Sequence, residues 1–123
     1  LTSNEGAFDF QTKKIDDLEV YKHVLETSKN WQNSQNLMYV VGATKAEYFK
    51  EIRKIVPNSF LLVPGVGAQG GNLEDVCKYG LSENIGLLIN SSRGIIYASK
   101  DVNFANEAAK KAEELQVKMA TLI

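Results

Sequence analysis

Two short stretches carry the residue types from which an anion site can be built. Residues Pro64-Gly65-Val66-Gly67-Ala68-Gln69-Gly70-Gly71 hold four glycines in eight positions. Glycine lets backbone N–H groups approach an anion closely, and a helix starting just beyond adds donors and a favourable dipole. A plain tight turn does not require so many glycines. The second stretch, Asn90-Ser91-Ser92-Arg93-Gly94-Ile95, offers two hydroxyls and a guanidinium suited to bidentate phosphate contact. Gly65, Gly67 and Gly70 also satisfy G-x-G-x-x-G, the dinucleotide fingerprint. That reading needs an acidic residue at the end of the next strand to hold the ribose hydroxyls. The next apolar run ends Ile89-Asn90-Ser91-Ser92-Arg93 without a carboxylate, so the dinucleotide reading fails. A lone arginine after a strand is usually a solvated surface residue; beside a glycine-rich loop it gains a reason to be there.

Both stretches follow short apolar runs. Leu37-Met38-Tyr39-Val40-Val41, Phe60-Leu61-Leu62-Val63 and Ile85-Gly86-Leu87-Leu88-Ile89 do not alternate with polar residues, so they are predicted as parallel strands buried on both faces. Helix-start signals fall between them. Asp16 with Glu19, Thr44 with Glu47 and Asn72 with Asp75 have capping-box spacing, and Asp101 is a fourth candidate cap. The interval is nearly constant, which points to one repeated unit. The helices are amphipathic: Leu18, Tyr21, Leu25 and Ser28 form one stripe, Phe49, Ile52 and Val56 a second, and Phe104, Ala108, Ala112, Leu115 and Met119 a third. Strands alternating with helices at this period imply right-handed crossovers and a parallel sheet. An eight-unit barrel takes roughly 31 residues per unit, so 123 residues hold about half of one. A free-standing three-layer sandwich is the competing architecture, and periodicity does not separate the two. In barrels, phosphate sites are common in the loops after the seventh and eighth strands. If the last helix closes the fold, the two stretches above are those loops.

Composition sets outer bounds. With 14 basic and 15 acidic side chains the net charge is −1, leaving nothing to drive general binding to nucleic acid or anionic membrane. No apolar stretch approaches the roughly 20 residues of a membrane helix. One cysteine, Cys77, excludes an intrachain disulfide and a cysteine-based metal site, and fits a reducing, cytoplasmic setting. The opening Leu1-Thr2-Ser3-Asn4-Glu5-Gly6 reads as a strand end running into a loop. The sequence is therefore expected to be a single partial domain, residues 1–123, of a longer protein.

Taken together, Val63 to Gly71, then Asn90-Ser91-Ser92-Arg93-Gly94-Ile95-Ile96-Tyr97, resemble the C-terminal half of orotidine 5′-phosphate decarboxylase. Val41-Gly42-Ala43-Thr44 and Leu1-Thr2-Ser3-Asn4-Glu5-Gly6-Ala7 are similar to the same family in the same order, closest to its longer bacterial branch. The resemblance implies the C-terminal half of a (β/α)₈ barrel with parallel strands alternating with helices. It also implies a homodimeric enzyme that converts orotidine 5′-monophosphate to UMP in pyrimidine biosynthesis, without cofactor or metal. By position, Arg93 and the backbone around Gly70, Gly71 and Ser92 would hold the 5′-phosphate. Gln69 would bridge phosphate and pyrimidine as a lid, Ser3 would hydrogen-bond the pyrimidine edge, and Pro64 and Val66 would wall the base pocket.

One departure limits the transfer. The family's lysine–aspartate array lies in an Asp-x-Lys-x-x-Asp motif, and no segment here matches it; Lys13-Lys14-Ile15-Asp16-Asp17 has the residue types in a loop and helix cap. No catalytic residue is therefore expected in this chain, and the missing N-terminal half is its expected partner. Two other classes stay open: another phosphate-sugar barrel enzyme, sharing the phosphate loops but not Gln69 and Ser3, and a non-enzymatic α/β nucleotide-binding module. The remaining conspicuous residues have plain readings. His23 is expected at or near the surface, Trp31 as a packing anchor, Cys77 as a small buried hydrophobe, and Lys110-Lys111-Ala112-Glu113-Glu114 as a solvated helix face.

Overall fold

The computed structural model describes residues 5–67 and 70–123. Its main sheet has three strands, β3 (Tyr39–Val40), β4 (Leu61–Pro64) and β5 (Leu87–Asn90), in sequential order and parallel throughout. A separate antiparallel hairpin, β1 (Lys14–Ile15) and β2 (Leu18–Glu19), precedes α1 (Val20–Lys29). Helices α2 (Glu47–Ile55) and α3 (Leu73–Gly80) cross between the parallel strands. A short α4 (Ser92–Ile96) and a long α5 (Phe104–Ala120) follow the last strand.

Only some of the expected caps hold. The Asn72 side chain accepts from the Asp75 N–H at 3.2 Å and starts α3 as expected. Asp16 does not cap a helix. It and Asp17 have φ of 49° and 66° and make the two-residue turn joining β1 to β2, a geometry that short polar side chains tolerate. The helix begins four residues later, and His23 Nε2 donates to the Ile15 carbonyl at 2.7 Å, fastening the hairpin to α1. Thr44 lies within a 3-10 turn, Ala43–Lys45, and α2 starts beyond it at Glu47. Asp101 accepts from the Asn103 N–H at 2.8 Å, shaping the turn that leads into α5. The repeat survives because the crossovers have similar lengths, even where the capping residues differ.

The core lies between one face of the sheet and its helices. Phe49 and Ile52 of α2, Leu61 and Val63 of β4, and Val76 of α3 are fully buried. Each such side chain contributes roughly 1.5–3 kcal/mol of burial. The second predicted stripe, Phe49, Ile52 and Val56, is buried throughout; of the first, Tyr21, Leu25 and Ser28 of α1 are buried, while Leu18 belongs to β2 instead of the helix and is half-buried. Ser28 Oγ donates to the Leu25 carbonyl and shares a hydrogen bond with Tyr39 OH, so the buried hydroxyl is satisfied.

Burial on both sheet faces is not observed. Parallel register places Val40, Leu62 and Leu88 in one row on the face away from the core, and Val40 and Leu88 are 51% and 45% exposed. No described element covers that face. The third predicted stripe is only partly covered: Leu115 and Met119 pack on the core and Ala108 is half-buried, whereas Phe104 and Ala112 are exposed. Trp31 is exposed as well, so it is not the expected packing anchor.

At the N-terminal ends of the strands, one side chain ties four segments together. The Arg53 guanidinium donates to the carbonyls of Gly80 (2.6 Å), Ser59 (2.7 Å) and Gly86 (2.9 Å), with longer bonds to Val56 and Pro57. It joins the ends of α2 and α3 to the starts of β4 and β5.

Candidate functional site

The opposite, C-terminal ends of the strands hold the candidate site. Pro64 and Asn90, the last residues of β4 and β5, pair in register. Each strand then releases one of the two chemically marked loops, so the roots of those loops are adjacent. Ser91 Oγ reaches the Val66 carbonyl at 3.5 Å, a long contact spanning the same gap. Between the loops lies a cavity of about 170 Å³ lined by Pro64, Gly65, Val66, Asn90, Ser92 and Arg93, with Ser91 beside them. Small-molecule pockets usually span roughly 300–1,000 Å³, so this one suits a single group such as a phosphate monoester.

Arg93 supplies the cation. Among the described residues no carboxylate forms an ion pair with it. Ser92 and Arg93 open α4, and the first N–H groups of a helix have no intrahelical acceptor. The guanidinium and these amides can converge on one anion. The Ser92 hydroxyl is already engaged, donating to Asn90 Oδ1 at 2.9 Å.

The glycine loop is arranged differently from expectation. Gly65, Gly67 and Gly70 have φ of 95°, 74° and 84°, conformations that a side chain would strain. The loop is largely bonded to itself. Gly70 N–H donates to the Gly67 carbonyl (2.8 Å), Gly71 N–H to that of Gly65 (3.1 Å), and Gly67 N–H to that of Gly71 (3.0 Å). Gly71 is required for space: a Cβ there would collide with Ala43 and sit 2.7 Å from the Gly65 carbonyl oxygen. Gly70 and Gly71 border a different cavity, between the loop, Leu73 and α5 residues Leu115 and Lys118. Lys118 also pairs with Glu74 at 2.7 Å and holds that carboxyl below its usual range, bracing the first turn of α3 against α5.

The structure therefore brings Pro64, Val66, Ser92 and Arg93 together and sets Gly70 and Gly71 to one side with their N–H groups occupied. Ser3 and Gln69 lie outside the described residues. A larger cavity of about 370 Å³ opens by β3, between Tyr21, Leu25, Met38 and Val40. It is walled mainly by apolar groups. Among the described residues no cluster of three histidine, cysteine or acidic side chains is placed to hold a metal, and no helix is long and apolar enough to cross a membrane. Sequence reasoning passed over Arg53, whose role depends on carbonyls brought together only by the fold.

Comparison with known proteins gives this arrangement a context. No family model matches. Orotidine 5′-phosphate decarboxylase of Christiangramia forsetii is 74% identical over 121 residues, 98% of this chain and 44% of the relative. That of Flavobacterium johnsoniae is 68% identical over 123 residues, all of this chain and 45% of the relative. The chain is homologous to part of an orotidine 5′-phosphate decarboxylase. It spans somewhat under half the length of the curated relatives it matches. Among solved structures, Leishmania donovani OMP decarboxylase aligns with 93% of this chain and 44% of its own, with TM-score 0.73 and 31% identity. Leishmania donovani UMP synthase aligns with 94% of this chain and 26% of its own, with TM-score 0.75 and 35% identity. OMP decarboxylases are (β/α)₈ barrels, and this chain covers part of such a barrel. The sandwich alternative is thereby removed. The Val40–Leu62–Leu88 row, in which Val40 and Leu88 are exposed, lies on the face that a closed barrel turns inward.

Proposed function

We propose that this chain supplies the phosphate- and pyrimidine-binding part of an enzyme that decarboxylates orotidine 5′-monophosphate to UMP. The observation that carries the reading is the pairing of Pro64 with Asn90, which roots both loops at one end of the sheet and borders one cavity with Arg93 and Val66. In this reading Arg93 grips the 5′-phosphate through its planar fork, and the backbone of Ser92 adds a donor. Pro64 and Val66 wall the pyrimidine, Ser3 bonds its edge, and Gln69 closes over the substrate between base and phosphate. Gly70 and Gly71 shape the loop that carries Gln69; any phosphate contact from their backbone requires the loop's internal bonds to rearrange. No cofactor or metal takes part. The enzyme works in the cytoplasm as a homodimer, and residues 1–123 form a single partial domain of it.

Decarboxylation breaks the bond from pyrimidine C6 to the carboxylate. Carbon dioxide leaves, the electron pair stays on C6, and a proton then replaces the lost group. The carbanion is vinylic and its barrier is very high, so the acceleration must lie near the top of the enzymatic range. Contacts remote from C6 help, because binding energy at the phosphate can be used to hold and desolvate the reacting end. This chain has the phosphate-gripping residues and lacks the Asp-x-Lys-x-x-Asp motif that would deliver the proton.

The test is ligand preference in the enzyme assembled from this chain and the N-terminal part of a relative. UMP is expected to bind far better than ribose 5-phosphate. Equal affinity would indicate another phosphate-sugar barrel enzyme instead, and binding that ignores the phosphate would indicate a non-enzymatic nucleotide module.

A further inference from the structure

We infer that Asn90 is a ligand-binding residue, its side-chain amide donating to the phosphate monoester in an orientation fixed by Ser92. The inference rests on the function proposed above and adds a residue to that site. Asn90 ends β5 in register with Pro64, on the sheet face that carries Leu62 and Leu88, and lines the cavity beside Arg93. Its carboxamide has two ends of opposite hydrogen-bonding character. Ser92 Oγ donates to Oδ1 at 2.9 Å, so the acceptor end is tied to the protein. The group left for the cavity is Nδ2, a pair of donors and no acceptor. A donor pair next to a guanidinium matches an anion's oxygens and rejects a cation. The same bond uses the Ser92 hydroxyl proton, which restricts Ser92 to a backbone contribution and makes its side chain a positioning group for Asn90.

Aspartate is the informative replacement. It keeps the shape of asparagine, removes both donors and adds a negative charge facing the phosphate. In the assembled enzyme, Asn90→Ala is expected to weaken UMP binding about 10-fold or more, the usual loss for one hydrogen bond to a charged acceptor. Asn90→Asp is expected to weaken it further, and Ser92→Ala to cause a smaller loss. A second readout separates charge from fold damage. In phosphorus NMR titrations of bound UMP, the Asn90→Asp carboxylate should raise the phosphate's second pKa, because a like charge disfavours the dianion. Asn90→Ala should raise it less. Should Asn90→Asp bind UMP as well as wild type, or weaken it without moving the phosphate titration, the inference is overturned. Arg93→Ala serves as the reference. If it weakens UMP binding while the Asn90 variants do not, this inference alone fails; if Arg93→Ala is also without effect, the proposed site itself is wrong.

Discussion

Replacing Arg93 by alanine removes a two-pronged donor from the small cavity that Pro64 and Val66 wall. A charge-assisted hydrogen bond contributes about 1.5–3 kcal/mol, so the dissociation constant for UMP should rise at least ~10-fold in calorimetric titrations. Arg93→Lys should recover only part of that, since an ammonium cannot reproduce the planar fork. Cys77 provides a check unrelated to the site. Burial, with a contribution from Glu74, pushes its thiol pKa up. The folded state thus favours the protonated thiol, and the stability this confers is lost as pH rises past the value of the unfolded thiol. Near pH 8.5, iodoacetamide should label Cys77 at least ~10-fold more slowly in the folded chain than in urea; comparable rates would contradict its burial. That Arg93 would stand beside Pro64 and Val66 was legible, because each loop follows an apolar run that becomes a strand; that the glycine loop would bond to itself was not. The bond from Ser92 to Asn90 was not either, since it depends on side-chain torsions that leave no periodic trace in sequence.

The elements show the same division. Asn72 announced α3 correctly because its side chain reaches an N–H three residues on, a purely local geometry. Asp16 carries a similar signal and makes a hairpin instead: two successive aspartates can both adopt positive φ, and the flanking residues then pair as strands. Local chemistry permitted either outcome, and the bond from His23 to Ile15 favours the one observed. Arg53 shows how far an element's stability can rest on partners distant in sequence. Its acceptors extend to Gly86, 33 positions away, and are all backbone carbonyls. Arg53→Lys retains the charge but cannot span them, and should lower the unfolding free energy by about 2–4 kcal/mol in urea titrations. A change below ~0.5 kcal/mol would show that the carbonyls are equally well served by water.

At the scale of the molecule, the parallel direction of β3, β4 and β5 could be read from the strand–helix period, whereas their sequential order and the open face could not. An apolar run predicts burial without naming what does the burying. Here the helices cover one side of the sheet, and among the described residues no element covers the Val40–Leu62–Leu88 row. The chain alone should therefore bind the dye ANS strongly and show no decarboxylase activity. Co-expression with the N-terminal part of a relative should suppress the dye signal and restore turnover. Unchanged dye binding and no turnover from a stable complex of the two would count against the barrel partnership.

Arg53 grips the sheet where the strands begin, and Arg93 stands where they end. Mutational history can consequently act on the two margins separately. On the proposed reading, drift around Arg93 should alter how tightly a ligand's phosphate is held without loosening the framework, while drift around Arg53 should be filtered by survival of the fold whatever the ligand. A laboratory lineage selected for a new substrate should accumulate its changes at one margin and keep the other fixed.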